Sequence, residues 1–222
     1  MKNSESRPHH PLPGEAPLGL RDRRKLEKRQ RIKLAARQVF MEKGYEAATT
    51  REIAALADVA TGTVFVYAKD KRDLLLMIIN DDLDAANEMA VAMIDPQAAL
   101  LDQLEQFFGS RYEYWAREPR LTRPAIRETF DFLDSSAEAG LETARFYARR
   151  PKSVAILAGL VQAKQQCGEI ASRDAPELIA SLFMTIYLTE IRRWMAHAVP
   201  RADEGMKMLR EMLALAMRGI QN

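Results

Sequence analysis

The chain contains 222 residues, of which 47% are hydrophobic and 29% charged, and its formal net charge is +2. This composition excludes a disordered or collagen-like chain and is typical of one or two globular domains with a buried core. The single cysteine, Cys167, cannot form an internal disulfide. The sequence has no apolar run of signal-peptide length and no membrane-spanning stretch. We therefore expect a cytoplasmic protein without a membrane partner.

Charge is unevenly distributed along the chain. The first 75 residues hold 16 basic and 10 acidic side chains, whereas the remainder holds 17 basic and 21 acidic ones. Most of the excess lies in residues 21–43, where ten basic residues accompany three acidic ones. A basic first segment joined to a mildly acidic body predicts a polyanion partner for the first segment alone.

Hydrophobic spacing predicts an all-α fold. Residues 1–20 hold four of the ten prolines and few large apolar side chains, so we expect a disordered tail there. From Arg23 onward apolar residues recur at helical spacing, and no stretch alternates as a strand does. Proline and glycine fall at expected helix breaks, among them Gly44, Pro124 and Pro151.

The first helix is predicted over residues 24–43, with Gly44 as its stop and one basic face. The run Thr49-Thr50-Arg51-Glu52 is a capping box, which begins the next helix. Two short helices, 50–57 and 60–67, then have the dimensions of a helix-turn-helix, although this spacing also fits any small three-helix bundle. A longer helix of about 35 Å is expected from Asp70 toward position 94 and is long enough to connect two domains.

The second short helix carries small or hydroxyl-bearing side chains and is followed by Lys69, Lys71 and Arg72. This chemistry suits insertion into the major groove with phosphate contacts at the end of the helix. We expect Phe65 to pack inside the small bundle. For Val66, packing and contact with a thymine methyl group both stay open.

Residues 35–79 resemble the DNA-binding segment of the tetracycline-repressor (TetR) family of bacterial regulators. The shared pattern is A-x-x-x-F-x-x-K-G-Y-E-x-x-T-x-R-x-I-A-x-x-A, then V-x-x-G-T-x-x-x-Y, then K-x-x-L-L. The chain departs from residues frequent in the family at Ala60, Thr61 and Ala68-Lys69. The resemblance implies a positioning helix at 49–58 and a recognition helix at 61–67.

The resemblance also implies roles for particular residues. Tyr67 and Lys71 would clamp phosphates, and Gly62 would let the recognition helix approach the DNA closely. Together with the charge and hydroxyl chemistry, it gives a predicted DNA-binding set of Arg23, Arg24, Lys28, Thr49, Thr50, Arg51, Thr61, Gly62, Thr63, Val66, Tyr67 and Lys71. A helix-turn-helix head over 21–69 and an effector-binding and dimerisation body over 70–222 complete the expected organisation.

Two late helices, 177–195 and 203–220, each carry two apolar stripes, which predicts burial on two sides. We therefore expect them to form a four-helix seam with a second copy of the chain, with Leu182 and Leu213 in the seam. Glu190 interrupts the first of these helices and is expected to pair with Arg193 or with an arginine across the seam, a ligand contact being the alternative. Arginines 145, 149 and 150 are interpreted as a solvent-exposed face.

Aromatic side chains are concentrated in the predicted body. Each one, taken alone, is more often a core residue than a ligand contact, but several stripes face one another and leave room for an apolar pocket. The predicted ligand-binding set is Phe108, Tyr112, Trp115, Phe130, Leu133, Leu160, Met184 and Tyr187. A small hydrophobic effector that enters this pocket and moves the helix after Asp70 would release the DNA, as the family resemblance implies.

No motif predicts catalysis, a metal site or a cofactor: His-Glu-x-x-His, Cys-x-x-Cys, a phosphate-binding glycine loop and a nucleophile elbow are all missing from the sequence. The favoured function is a homodimeric regulator, most simply a repressor, that binds double-stranded DNA. A helical adaptor with a basic head is the first alternative, but it leaves the pattern at 44–71 unexplained. An enzyme is the second, but it lacks convergent acid and base residues.

Overall fold

A computed structural model of the chain describes residues 19–129 and 139–220. Within these ranges the chain forms ten α-helices and no strand, which confirms the all-α prediction. The helices are α1 Leu20–Lys43, α2 Thr50–Leu56, α3 Thr61–Tyr67, α4 Lys71–Ala92, α5 Leu100–Arg117, α6 Pro119–Glu128, α7 Leu141–Tyr147, α8 Arg149–Gln166, α9 Pro176–Met195 and α10 Ala202–Arg218.

Helices α1, α2 and α3 form a small bundle, called the head below. Its core is built from apolar side chains of all three helices, chiefly Ile32, Ala36, Phe40, Ile53, Ala54 and Val64. Helix α1 ends where predicted. Gly44 adopts φ 82°, a conformation that favours glycine, and its N–H donates to the carbonyl of Phe40 at 2.9 Å.

The start of α2 is fixed by the predicted capping box. The backbone N–H of Glu52 donates to Thr49 Oγ1 at 3.3 Å, and the backbone N–H of Thr49 donates to Glu52 Oε2 at 3.0 Å. Asp58, in the turn between α2 and α3, has φ 52°, which a short polar side chain tolerates better than most. The two short helices therefore have the connection expected of a helix-turn-helix.

Helix α4 leaves the head and runs through the rest of the molecule. Asp70 caps it, because its Oδ1 accepts the N–H of Asp73 at 2.7 Å. The six residues 74–79 are all buried, and α4 packs against α1, α5, α6 and α7. This helix is the common wall between the head and the remaining helices α5–α10, called the body below.

The body is held together by close helix packing. Helix α5 packs against α4, α8 and α10, and α8 packs against α9. Gly205 lets α10 approach α5, because a Cβ at this position would lie 2.5 Å from Cε1 of Tyr112. No helix within the described ranges is both long and apolar enough to cross a membrane.

Some expectations about helix boundaries are wrong, and part of the expected tail lies outside the described residues. Pro124 lies inside α6 and Pro151 inside the first turn of α8, so neither breaks a helix. In a short helix such as α6, the missing N–H of proline removes only one backbone hydrogen bond. Helix α7 was not predicted at all. Of the tail expected over residues 1–20, positions 1–18 lie outside the described residues, and Leu20 already begins α1.

Candidate nucleic-acid interface and effector cavity

The recognition helix α3 has one buried residue and a broad exposed face. Val64 is fully buried in the head, whereas Thr61, Gly62 and Val66 are exposed. Val66 is 75% exposed, so of its two interpretations packing is excluded. The expectation that Phe65 packs inside the head is wrong. Its side chain is 49% exposed, because Val64 takes the inward position and the next residue lies about 100° further around the helix.

Lys71 and Tyr67 lie at the edge of the exposed face. The Lys71 ammonium donates to the carbonyl of Glu46 at 3.0 Å and lies 4.7 Å from the centre of the Tyr45 ring. Tyr67 is half-buried against the core. One of the three N–H donors of Lys71 is thus used inside the protein, which anchors the side chain and leaves the others for an external acceptor. Burial raises the pKa of the Tyr45 hydroxyl beneath it.

The basic residues of α1 divide into two groups with different surroundings. Those of the N-terminal half, Arg21, Arg23, Arg24, Lys25 and Lys28, form no ion pair within the part of the chain that the structure describes. Arg24 and Lys28 share an open cleft with Val66 and Tyr67 of the recognition helix. Two predicted DNA-binding residues of α1 therefore lie beside two at the end of α3.

The basic residues in the C-terminal half of α1 form ion pairs with acidic residues of the body. Arg29 pairs with Glu142 at 2.5 Å and Lys33 with Asp81 at 2.7 Å, and Arg37 pairs with Glu118. The predicted basic face is therefore neutralised in this half by acidic residues of α4, α7 and the turn before α6.

Asp81 of α4 shows how strongly these groups interact. Burial by itself raises the pKa of this carboxyl group. Hydrogen bonds from Lys33 and Arg145, and the positive charges of Lys33 and Arg29, outweigh burial and lower the pKa to about 2. The group is therefore ionised at every physiological pH.

A cavity of about 120 Å³ lies inside the body, between α4 and the helices α5 to α9. Its wall is mostly apolar, as predicted for the body pocket. The lining residues are Leu83, Asn87, Arg111, Trp115, Ile126, Thr129, Phe146, Tyr147, Arg149, Arg150, Ser153, Met184, Tyr187, Leu188, Ile191 and Arg192.

Three of the predicted ligand-binding residues, Trp115, Met184 and Tyr187, line this cavity. Phe108 and Tyr112 do not line it. Both are fully buried, and Phe108 stacks on Tyr187 with ring centres 4.6 Å apart. They support the cavity wall from behind.

The remaining predicted ligand residues also lie away from the cavity wall or outside the structure. Leu160 packs half-buried against the core on α8 and does not line the cavity. Phe130 and Leu133 lie outside the described residues. The indole N–H of Trp115 donates to the Tyr187 hydroxyl at 3.1 Å, which fixes two side chains of the wall.

The interpretation of arginines 145, 149 and 150 as a solvated face is wrong for Arg145 and Arg149, whereas Arg150 is exposed. Arg145 Nη2 pairs with Asp84 at 2.6 Å, and Arg149 Nε pairs with the other oxygen of Asp84 at 2.5 Å. Arg149 also donates to the side-chain oxygen of Asn80 at 2.7 Å and lines the cavity, as does Arg150. Their acceptors lie on α4, some sixty residues earlier in the chain, so sequence spacing gave no sign of them.

Helix α7 touches both the cavity and the head. Its last residues, Phe146 and Tyr147, line the cavity. Near its start, Glu142 pairs with Arg29 of the head, and Thr143 donates its backbone N–H and its hydroxyl to Asp73 at 2.7 and 2.9 Å. A displacement of α7 thus changes contacts at both ends.

The outer faces of α9 and α10 carry exposed apolar side chains. Leu178, Leu182, Met208 and Leu215 are exposed in the single chain, which leaves one predicted stripe of each helix unburied. Leu213, by contrast, is 1% exposed and belongs to the core, so its predicted place in a seam is wrong.

Glu190 pairs with Arg193 at 3.2 Å, the simpler of the two expectations for this buried carboxylate. Cys167 is a free, exposed thiol. Over the described ranges, no group of three or more His, Cys, Asp or Glu side chains is placed to hold a metal ion.

Comparisons with known proteins agree with this arrangement. Residues 32–78, which include the helix-turn-helix, match the family model for bacterial regulatory proteins of the tetR family. The HTH-type transcriptional repressor BepR of Brucella suis biovar 1 is 28% identical over 179 residues, which cover 76% of this chain and 81% of that protein.

Solved structures share the whole architecture. FadR of Thermus thermophilus, in complex with lauroyl-CoA, has a TM-score of 0.65 at 23% identity and covers 85% of this chain and 94% of its own. FadR of Bacillus subtilis, in complex with stearoyl-CoA, has a TM-score of 0.63 at 22% identity. The match covers 86% of this chain and 98% of that one. The fold and the helix-turn-helix define a transcriptional regulator with a DNA-binding head. Residues 32–78 are thus similar to the DNA-binding segment of the tetR family, and most of the chain is similar to a transcriptional repressor.

Proposed function

We propose that this protein is a homodimeric repressor that leaves its operator when a small hydrophobic effector occupies the body cavity. We assign the two functions to the predicted domains: DNA binding to residues 21–69, and effector binding and dimerisation to residues 70–222. The observation that carries the proposal is the position of α7, which contacts the cavity at one end and the head at the other.

The proposed DNA surface combines the exposed face of α3 with the N-terminal half of α1. Arg24 and Lys28 share a cleft with Val66 and Tyr67, so one duplex can meet phosphate-binding and base-reading side chains together. The paired half of α1 is excluded from this surface, because Arg29, Lys33 and Arg37 already hold body carboxylates.

The proposed dimer surface is the outer face of α9 and α10. Its exposed apolar residues, Leu178, Leu182, Met208 and Leu215, form the kind of patch that monomeric proteins rarely leave in water. An isologous seam repeats each residue across a two-fold axis. A dimer would place two recognition helices for two half-sites of one operator.

The proposed effector is supported by the apolar wall of the cavity. Two proteins of the same fold were solved with acyl-CoA esters, which is in line with a hydrophobic effector here. Binding can release DNA only if the effector has different affinities for the two head positions. Pressure on Phe146 and Tyr147 would shift α7, and with it the Arg29–Glu142 pair.

The proposal is tested by selecting duplexes from a random pool with the purified full chain, then measuring the affinity and stoichiometry of the enriched sequence. A two-fold symmetric motif bound by two chains is expected. Failure to enrich any motif would contradict DNA-specific function, and enrichment of a motif bound by one chain would contradict the dimer.

A further inference from the structure

The cavity wall carries an unusual set of charges. Among the residues that the structure describes, its lining includes Arg111, Arg149, Arg150 and Arg192 but no aspartate or glutamate. An apolar effector alone gives no reason for arginines at the wall, because a cation next to an empty or apolar space loses hydration without compensation. Whether such a cation needs a ligand depends on the partners that it already has inside the protein.

Arg149 is neutralised inside the protein. Its Nε pairs with Asp84 at 2.5 Å, and its Nη2 and Nη1 donate to the backbone carbonyl and side-chain oxygen of Asn80 at 2.9 and 2.7 Å. Its charge is thus already satisfied by groups of α4. This arginine belongs to the framework of the cavity.

Arg111 differs from Arg149 in that its charge has no counterion among the described residues. The side chain projects from α5 and the residue is only 5% exposed. It donates to the carbonyl of Phe107 and, at 3.4 Å, to Ser153 Oγ, and its guanidinium lies 4.0 Å from the centre of the Phe107 ring. No carboxylate in the described part of the chain pairs with it.

A guanidinium has five N–H donors, and two acceptors inside the protein leave part of this capacity unused at the cavity. Burial lowers the pKa of Arg111 to about 10, so the group still carries its charge at neutral pH. A charge that is buried without a counterion destabilises the folded chain. Such a cost is common where a side chain serves a ligand.

Two further polar groups of the wall have unused hydrogen-bonding capacity among the described residues. The side-chain oxygen of Asn87 is buried and accepts no hydrogen bond from any described group. The Tyr187 hydroxyl accepts the Trp115 N–H, which leaves its own proton to donate. The wall thus offers a cation, one free acceptor and one free donor on an apolar background.

We propose that the cavity binds an organic acid, with its carboxylate on the Arg111 guanidinium and its apolar body against Trp115, Met184 and Ile191. A hydroxyl or amide N–H on the ligand would satisfy Asn87. This inference rests on the proposed effector site and specifies its ligand. A free carboxylate supplies the counterion that Arg111 lacks among the described residues, whereas the thioester group of an acyl-CoA carries no charge.

The test compares ligands that differ only in charge. Calorimetry on the full chain would use decanoate, its uncharged analogue decan-1-ol, and lauroyl-CoA as probes. A charge-assisted pair predicts that decanoate binds about 10- to 100-fold more tightly than decan-1-ol. Arg111→Met should abolish this preference. Arg111→Lys should keep part of it, because the charge remains but the planar fork is lost.

Arg123→Met is the matched control. Arg123 donates to the carbonyls of Met195 and Ala198 at 3.0 and 2.8 Å and does not line the cavity. This variant should retain the preference for decanoate. Thermal unfolding gives a second readout: Arg111→Met should unfold at the same or a higher temperature than the parent chain, whereas loss of a purely structural arginine would lower it.

Several outcomes overturn the inference. They are equal affinity for decanoate and decan-1-ol, a preference that survives Arg111→Met, no binding of decanoate, and binding of lauroyl-CoA alone. Operator release is measured on the same samples. Decanoate binding without operator release would support the carboxylate site and contradict the proposed effector function. Equal operator release by decan-1-ol and decanoate would support the effector function and contradict the carboxylate site.

Discussion

Arg29 of the first head helix and Glu142 of α7 form an ion pair 113 residues apart in the chain, with Nη2 and Oε1 separated by 2.5 Å. Glu142 is 3% exposed and also accepts the side-chain N–H of Asn80 at 2.7 Å. The pair joins the helix that carries the proposed DNA-binding cations to the helix that closes one side of the cavity.

Replacing Glu142 with Gln tests this connection. The amide keeps an acceptor for Asn80 but loses the charge that Arg29 requires, so we expect the free energy of unfolding to fall by about 1–3 kcal/mol. Affinity for the selected duplex should fall a few-fold, because the head would lose a contact that orders it. Part of the binding free energy would then go into ordering the head on the DNA. Glu105→Gln, which removes a surface pair with Arg210, is the control. Equal effects of the two substitutions would contradict a special role for Glu142.

The lowered pKa of the Asp81 carboxyl predicts that the stability of the protein depends on pH. A carboxyl whose pKa is lowered to about 2 in the folded state stabilises the protein above its ordinary pKa and loses this contribution as pH falls through the folded value. Asp81→Asn should therefore lower the melting temperature at pH 6, and the difference from the parent chain should shrink between about pH 4 and pH 2. A difference that is constant over this range would show that Asp81 does not act through Arg29, Lys33 and Arg145.

Substitution of Gly62 with Ala distinguishes an effect on stability from an effect on DNA binding. A Cβ at this position meets no atom within 4 Å, so Gly62→Ala should stabilise the chain by about 0.5–1 kcal/mol, because helical glycine carries an entropic cost. If the recognition helix approaches DNA closely here, the same methyl group should weaken operator binding at least tenfold. Stability and affinity would be measured on the same preparation. Unchanged affinity would place Gly62 away from the DNA.

Leu182 tests the proposed dimer surface. Leu182→Asp places one charge on each side of a two-fold seam, so we expect monomers in sedimentation and a loss of operator binding with the helical content unchanged. Met93→Asp, another exposed apolar position at the end of α4, should leave the dimer intact. Leu213→Asp is unsuitable because this buried side chain belongs to the core. A stable Leu182→Asp dimer would exclude this face.

Local features were predictable from the sequence because their causes are local. The Gly44 stop and the Thr49–Glu52 capping box each depend on residues within four positions of one another. The Arg29–Glu142 pair depends on helices brought together by the fold, and nothing in the spacing indicated it.

Predictions for the body were wrong where a feature depends on contacts between helices that are distant in the sequence. Helix α7 is short and its first residue, Leu141, is exposed, so it lacks the apolar stripe that marks a helix in sequence. The sequence pointed to Trp115, Met184 and Tyr187 through their aromatic or apolar character. It could not point to Arg111, whose importance comes from burial without a counterion.

The central claim, that the head is a DNA-binding surface formed by α3 and the N-terminal half of α1, is tested most directly by the salt dependence of operator affinity. We expect log affinity to fall steeply and linearly with log salt concentration. Arg24→Gln combined with Lys28→Gln removes four proposed phosphate contacts per dimer and should reduce the slope by about 4. The paired residue Arg37, changed to Gln, should leave the slope unchanged. A slope that is the same in all three proteins, or near zero in the parent chain, would contradict the account.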